Sequence, residues 1–317
     1  MQIHSYAPMP LPYVDYSCLL QEEREAVIQK YVLEHGRVPF NLYEGPLTRF
    51  ALLHAAGVVR LDVLQHLEDI IYDARLRATM PGTLDERIVI VDIDEDSLRE
   101  LGQWPWPRTL VADMVERLNG LGAVAIGFDI LFPEQDRLSP GLAVRSFRNI
   151  DEETSAKLRS LPSNDEVLAD VLKKSRVVLG QSGILRTTVP DASLPQTGIA
   201  TRGPNPGAYL VTFPGLLRNV PALENAAAGR GLLSIRNERD GLVRRVPLVV
   251  RAGGIVAPAL TLDMLRVVTN SGAILISTDA AGVQSVAVPG LQIPTDNAGQ
   301  LWVHFGPHDP AHYVSAK

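Results

Sequence analysis

Residues 87–132 read RIVIVDIDEDSLRELGQWPWPRTLVADMVERLNGLGAVAIGFDILF, and the succession of element types within them sets the expected fold. RIVIVDI (87–93) is a β-branched run too continuous for a strand with one wet face, which predicts a strand buried in a parallel sheet. DEDSLRELG (94–102) predicts a short helix with Asp94 at its N-terminal end and Gly102 at its close. After a Trp/Pro loop, RTLVADMVERLNGLG (108–122) repeats apolar residues at Leu110, Val111, Met114, Val115 and Leu118, the stripe of an amphipathic helix. AVAIGFDILF (123–132) is the second buried strand. Strand, helix, loop, helix, strand makes a βαβ crossover. It places Asp92, Asp94 and Asp129 near the carboxyl ends of neighbouring strands, where open α/β sheets bind ligands.

Working outward, LQEEREAVIQKYVLEH (20–35) has the spacing of a surface helix stopped by Gly36, and RLDVLQHLEDIIYDARLRA (60–78) aligns Leu61, Leu64, Leu67, Ile70 and Ile71 in one stripe. Residues 134–163 are charged and contain Pro and Ser, a solvated excursion. NDEVLADVLKKS (164–175) predicts a helix capped by Asn164, RVVLG (176–180) a strand, and 185–208 a long Thr/Pro/Gly loop. In GRGLLSIRNERDGLVRRVPLVVRAGG (229–254), two strand-like runs flank Asp240-Gly241, the signal of an antiparallel hairpin, and VAPALTLDMLRVV (256–268) predicts a helix. The expected class is α/β: a mixed sheet with a βαβ core flanked by helices, an antiparallel hairpin, and a short, mainly helical N-terminal extension.

With 317 residues, 46% of them apolar, the chain can bury a real core. A net charge of −6 without a long Lys/Arg run argues against nucleic acid as a partner. No apolar stretch reaches the roughly 18–20 residues that cross a bilayer, and MQIHSYAPMPLPY lacks the basic flank and apolar core of a signal peptide. Cys18 is the single cysteine, which rules out an intrachain disulfide, a thiol redox pair and a multi-cysteine zinc site. G-x-S-x-G, P-loop and dinucleotide fingerprints are absent.

Chemistry-bearing residues gather around the Trp/Pro loop. Pro105 and Pro107 fix φ and remove two backbone donors, which makes Trp104 and Trp106 rigid. Either both indoles pack over the core and fix the helix start at Arg108, or one offers a flat face to a ligand or partner. Asp92, Asp94, Glu95, Asp96, Asp129 and Asp136 are candidates for a metal or acid/base cluster, against which Asp94 to Asp96 fit helix capping better. Arg108 is expected to pair with Asp94 or Asp129. His304, His308 and His312 are spaced by four, but Gly306, Pro307 and Pro310 break any helix there, so no metal site is expected.

Residues 88–136 resemble the opening of the second-type CHASE domain, the cyclase/histidine kinase-associated sensory extracellular module. GRGLLSIRNERDGLVRRVPLVV, followed by APALTLDMLRVV, is similar to that family's later block, and LWVHFGP (301–307) fits its terminal strand. The likeness runs from about residue 61 to the end. It implies a sensor ectodomain held between membrane helices, with a cyclase, histidine kinase or Ser/Thr kinase on the cytoplasmic side. Upstream, PFNLYEGPLTR (39–49) resembles a landmark of nonribosomal peptide synthetase condensation domains, with Asn41 in place of the aspartate; that likeness covers about residues 9–54, and the His-His-x-x-x-Asp-Gly motif is missing.

The resulting expectation divides the chain into an inactive condensation-like fragment (1–57) and a sensory domain (58–317) of a bacterial membrane receptor. No catalytic residue, metal or cofactor is expected. Asp92, Asp94, Glu95, Trp104, Trp106, Arg108 and Asp129 are the ligand or sensory candidates, and Asp240 and Gly241 a structural turn. The resemblance implies an extracytoplasmic place at the cell membrane, attachment through segments outside this chain, a small-molecule or protein signal, and a homodimer. The rival readings are a metal-dependent enzyme using the strand-end carboxylates and a fused gene fragment without activity.

Overall fold

The computed structural model describes residues 62–80, 82, 85–189, 191–235, 238 and 240–317. The predicted helix at 20–35, the condensation-like stretch and the boundary at residue 57 lie outside the described residues. The chain divides into two units, Met1–Thr79 and Met80–Lys317. In the first, α1 (Asp62–Thr79) is the predicted helix, with Ile70 and Ile71 of its stripe exposed. Among the described residues, no helix is long and apolar enough to cross a membrane.

The second unit opens with β1 (Ile90–Asp92), α2 (Glu95–Leu101), α3 (Arg108–Gly120) and β2 (Ile126–Phe128), in the predicted order. The excursion carries α4 (Pro140–Ala143) and α5 (Glu152–Ser160), and leads to α6 (Asn164–Leu172) and β3 (Val177–Ile184). Next come β4 (Gly198–Arg202), β5 (Thr212–Phe213), β6 (Gly215–Leu217), α7 (Pro221–Ala226) and β7 (Gly229–Leu232). The remainder is β8 (Arg245–Pro247), β9 (Val249–Ala252), β10 (Ile255–Pro258), α8 (Leu260–Val268), β11 (Ala273–Asp279), β12 (Gly282–Val288), β13 (Leu291–Pro294), β14 (Gln300–Trp302) and β15 (Tyr313–Ser315).

The central strand is β3. It pairs in parallel with β2 on one side, Ile126 opposite Val177, and with β7 on the other, Val178 opposite Gly229; its far end, Ser182 to Ile184, takes β6 antiparallel. Residues 177–181 are all buried, as expected of a strand covered on both faces. Over this sheet α3, α6 and α7 build one core from Val111, Val115, Phe132, Leu168, Leu172 and Leu223. Against the same strands α8 packs closely: a Cβ on Gly231 would run into the backbone of Leu260, so only glycine admits the helix there. A second core, with Leu262, Ile274, Ile276 and Val286, lies under the sheet ordered β13-β12-β11-β4. A third sheet is ordered β10-β9-β5.

The α/β class stands, with mixed sheets, but several pairings differ from those expected. The first strand does not enter the sheet of the second. β1 lies parallel to β15, Ile90 opposite Tyr313, and Ile88, Val89 and Ile90 are 64%, 57% and 42% exposed. The crossover unit is instead β2–α6–β3: a run of β-branched residues favours extended backbone without specifying which strand it joins. Likewise the turn at Asp240-Gly241 forms, with Gly241 at φ +82° donating to the Glu238 carbonyl at 3.0 Å and the Leu242 amide bonded to Asp240 Oδ1 at 3.0 Å. The Glu238 amide donates to the Leu242 carbonyl at 2.9 Å, but among the described residues the strands on either side, β7 and β8, do not pair with each other. β7 is drawn into the parallel sheet and β8 pairs with β14, because a turn dipeptide fixes only the local reversal. The antiparallel hairpin is the next one, β9 and β10 around Gly253-Gly254. The cap of α6 is Ser163 in a capping box with Glu166, with Asn164 one position inside. The loop expected at 185–208 contains β4, parallel to β11. Finally, the excursion is not wholly solvated: Asp136, Ser139, Val144 and Ser155 are buried.

Candidate functional site

The Trp/Pro loop is built from both ends. Asp94 caps α2, its Oδ1 accepting from the Ser97 amide and hydroxyl, each at 2.7 Å, and from the Ser315 hydroxyl at 2.9 Å. Those Ser97 bonds, foremost, hold the Asp94 carboxyl below the usual carboxylate range. Gly102 ends α2, and the Trp104–Pro105 peptide is cis. Trp106 is buried and donates its indole N–H to the Gly102 carbonyl at 2.7 Å; Trp104, partly buried, meets it edge to face at 5.6 Å and lies 6.4 Å from Phe132. Both indoles therefore serve the packing that sets the start of α3.

Arg108, the first residue of α3, is 6% exposed. Its backbone N–H donates to Asp136 Oδ2 at 2.7 Å, its guanidinium lies 4.4 Å over the Phe132 ring, and its Nε stands 3.5 Å from Asp165 Oδ1. The expected pairing with Asp94 or Asp129 does not occur. Because β1 and β2 are not neighbours, the strand-end acids never assemble, and Arg108 faces the excursion and the start of α6 instead. The excursion supplies the wiring: Asp136 accepts from Asn164 Nδ2 at 2.8 Å, its amide donates to Asp165 Oδ2 at 2.9 Å, and the Asn164 amide donates to Ser139 Oγ at 3.0 Å. Burial pushes the Asp165 carboxyl up and the Arg108 guanidinium down. Arg108 Nε and Asp165 Oδ1 are both buried without a hydrogen bond, so the pair is close but not closed.

Of the other candidates, Asp92, Glu95 and Asp129 are exposed, and Asp96 pairs with Arg99 at 2.7 Å. Among the described residues, no group of three His, Cys, Asp or Glu side chains is placed to hold a metal. His308 stacks near Tyr313 at 5.2 Å, whereas His312 Nδ1 meets the Ile88 carbonyl at 3.0 Å.

A second polar hub, absent from the expectations, lies beside the first. Glu224, fully buried, accepts from Gln181 Nε2 at 2.9 Å and from the Asn219 amide and Nδ2 at 2.9 and 3.0 Å. Asp263, also fully buried, accepts from the Arg230 amide at 2.7 Å, Arg266 Nε at 2.6 Å and Thr197 Oγ1 at 3.2 Å. Arg230 bridges the two acids, its Nε 3.4 Å from Glu224 Oε2, and burial lowers its pKa. The hubs meet at Phe132: its ring carries Arg108, and its amide donates to Asn219 Oδ1 at 2.7 Å. One member was legible. In LTLDMLRVV (260–268) an acid interrupts an apolar stripe with an arginine three residues on, the pattern of a buried pair.

The CHASE2 domain family matches residues 50–317, beginning within the stretch that resembles condensation domains. No curated protein and no solved structure matches.

Proposed function

The chain belongs to the CHASE2 domain family, an extracellular sensory domain of signalling receptors, and from this we propose that residues 58–317 are the noncatalytic sensor of a bacterial membrane receptor with a cyclase, histidine kinase or Ser/Thr kinase output. The family match carries the reading. The unclosed Arg108–Asp165 pair supports a mechanism for it: a buried ion pair without its hydrogen bond is poised between two packings, and a signal that favours one of them shifts the balance. In this account Trp104, Trp106 and Arg108 respond as one packed group, and Asp94 holds β15 to the start of α2. Exposed Asp92, Glu95 and Asp129 are available to a protein partner, a second copy in a homodimeric receptor included.

The test is enzymatic. The purified chain, given magnesium or manganese, should show no turnover in cyclase, kinase, phosphatase or peptide-bond-forming assays. Turnover abolished by Asp92→Asn or Asp129→Asn would replace the sensor with a metal-dependent enzyme.

A further inference from the structure

β1 has one open edge. Among the described residues it pairs with β15 alone, in a sheet of two strands. The Ala316 amide donates to the Asp92 carbonyl at 3.0 Å and His312 Nδ1 meets the Ile88 carbonyl, so the even-numbered residues turn their backbone groups towards β15. The N–H and C=O groups of Val91, and of Val89 and Ile93 on either side of the strand, therefore point to the opposite edge, where no strand lies among the described residues.

Two strands alone make a marginal sheet, and parallel sheets are ordinarily covered. Yet Ile88, Val89 and Ile90 are exposed, and residues 88–93 contain neither the lysine nor the proline that keeps a natural edge from pairing. This edge also complements itself. A two-fold axis at Val91 sets two copies of β1 antiparallel, with Val91 opposite Val91 of the second copy and Val89 opposite its Ile93, and gives all three outward-facing residues a bonding partner. Arg87 of each copy then stands opposite Glu95 of the other. Both are exposed; among the described residues Glu95 has no ion pair, and the surface pair of Arg87 with Asp85 is weak enough to share. The mismatch in this register is Ile90 opposite Asp92, an exposed carboxylate that can stay hydrated. Neighbouring registers are worse. An axis at Asp92 opposes two carboxylates, one at Ile90 turns Arg87 to Ile93, and one at Val89 sets Glu86 against Asp92.

We infer that the open edge of β1 joins two copies of this chain in a symmetric dimer with a continuous four-stranded sheet, the two β1 strands at its centre and a β15 on each side. This deepens the homodimeric receptor proposed above, and rests on it, by giving the second copy its docking surface.

The experiment is sedimentation velocity of the full chain over a range of concentrations, with disulfide trapping in a Cys18→Ser background that removes the single native thiol. The chain should dimerise reversibly. Val91→Cys should cross-link to its own copy on mild oxidation, because opposite residues of a ladder lie about 5.5 Å apart at Cα, within disulfide reach. Val314→Cys should not, since three strand spacings, roughly 14 Å, separate the two β15 strands. Val91→Pro removes an outward donor without touching the ladder to β15, and should weaken the dimer on the order of 100-fold while the monomer stays folded by circular dichroism. Arg87→Glu and Glu95→Arg should each weaken it about tenfold, and the two together should restore it. If the proline variant does not fold, this charge exchange between exposed residues decides the matter. A monomer at every concentration, cross-linking through Val314 in place of Val91, or a dimer indifferent to the charge reversals would overturn the assignment. None of these displaces the sensory reading, which turnover alone would do.

Discussion

Asp263→Ala should lower the melting temperature by about 10 °C, corresponding to about 3–5 kcal/mol for breaking a buried charge network in a domain of this size. Asp263 is fully buried in α8 and receives the Arg230 amide, the Arg266 guanidinium and the Thr197 hydroxyl. Truncation strands the Arg230 amide and takes the carboxylate from the Arg266 guanidinium, which keeps only its bonds to the Ser271 and Ala228 carbonyls, and the carboxylate's place is too enclosed for a full solvent shell to replace it. Asp263→Asn keeps the shape and one acceptor and should lose roughly half as much. Thermal and urea unfolding of the two variants would check this; a loss below about 1 kcal/mol for Asp263→Ala would mean that the hub does not hold α8 to the central sheet.

The second large effect is at Arg108, and it carries a pH signature. Arg108→Met should cost about 2 kcal/mol at neutral pH, less than at Asp263 because the pair with Asp165 is long and Asp165 keeps its bond from the Asp136 amide. Arg108→Lys should also destabilise, since an ammonium cannot lie flat on Phe132, whereas Arg148→Lys, at an exposed position of the excursion, should stay within about 0.5 kcal/mol. Burial already raises the Asp165 carboxyl above the ordinary value of about 3.9. Between that value and the raised one, the folded state keeps a proton that the unfolded chain releases, so stability falls as pH rises through the window. Without Arg108 the window extends upward. The Met variant should therefore regain stability on acidification from neutrality towards pH 5, and adding Asp165→Asn should remove the recovery. The lowered carboxyls of Asp94, Asp151 and Asp170 act in the opposite sense and only below about pH 4, where protonation removes what they contribute. A flat profile in the Met variant would show that Asp165 is not the group Arg108 serves.

Legibility in the sequence followed the range of the forces involved. The helices at 95–101 and 108–120 were readable, because a capping aspartate, a closing glycine and a 3.6-residue stripe all act within a turn or two of chain. The buried strand at 177–184 was partly readable from its unbroken hydrophobicity. Partner choice was not: nothing in RIVIVDI names a strand more than 200 residues downstream, and nothing in Asp240-Gly241 tells its arms to part. The candidate site divided the same way. Asp94 took the capping role that local chemistry assigned to it, and the prolines did hold two packed tryptophans. Arg108 took partners that only the tertiary fold brings near, Asp136 from within the excursion and Asp165 from the helix beyond it.

The parallel pairing of β1 and β15 has a mechanical consequence. The chain enters β1 at one end of this two-stranded ribbon and leaves β15 at the other, so a pull between the two ends slides the strands past each other instead of peeling them apart. The ladder, its extension from the Ala316 amide to the Asp92 carbonyl at 3.0 Å, and the Ser315–Asp94 bond then share the tension at once. The ribbon is a stiff clasp up to its yield point. Its smallest yielding step is one residue, about 3.3 Å, and that step turns Val314 from one face of the ribbon to the other.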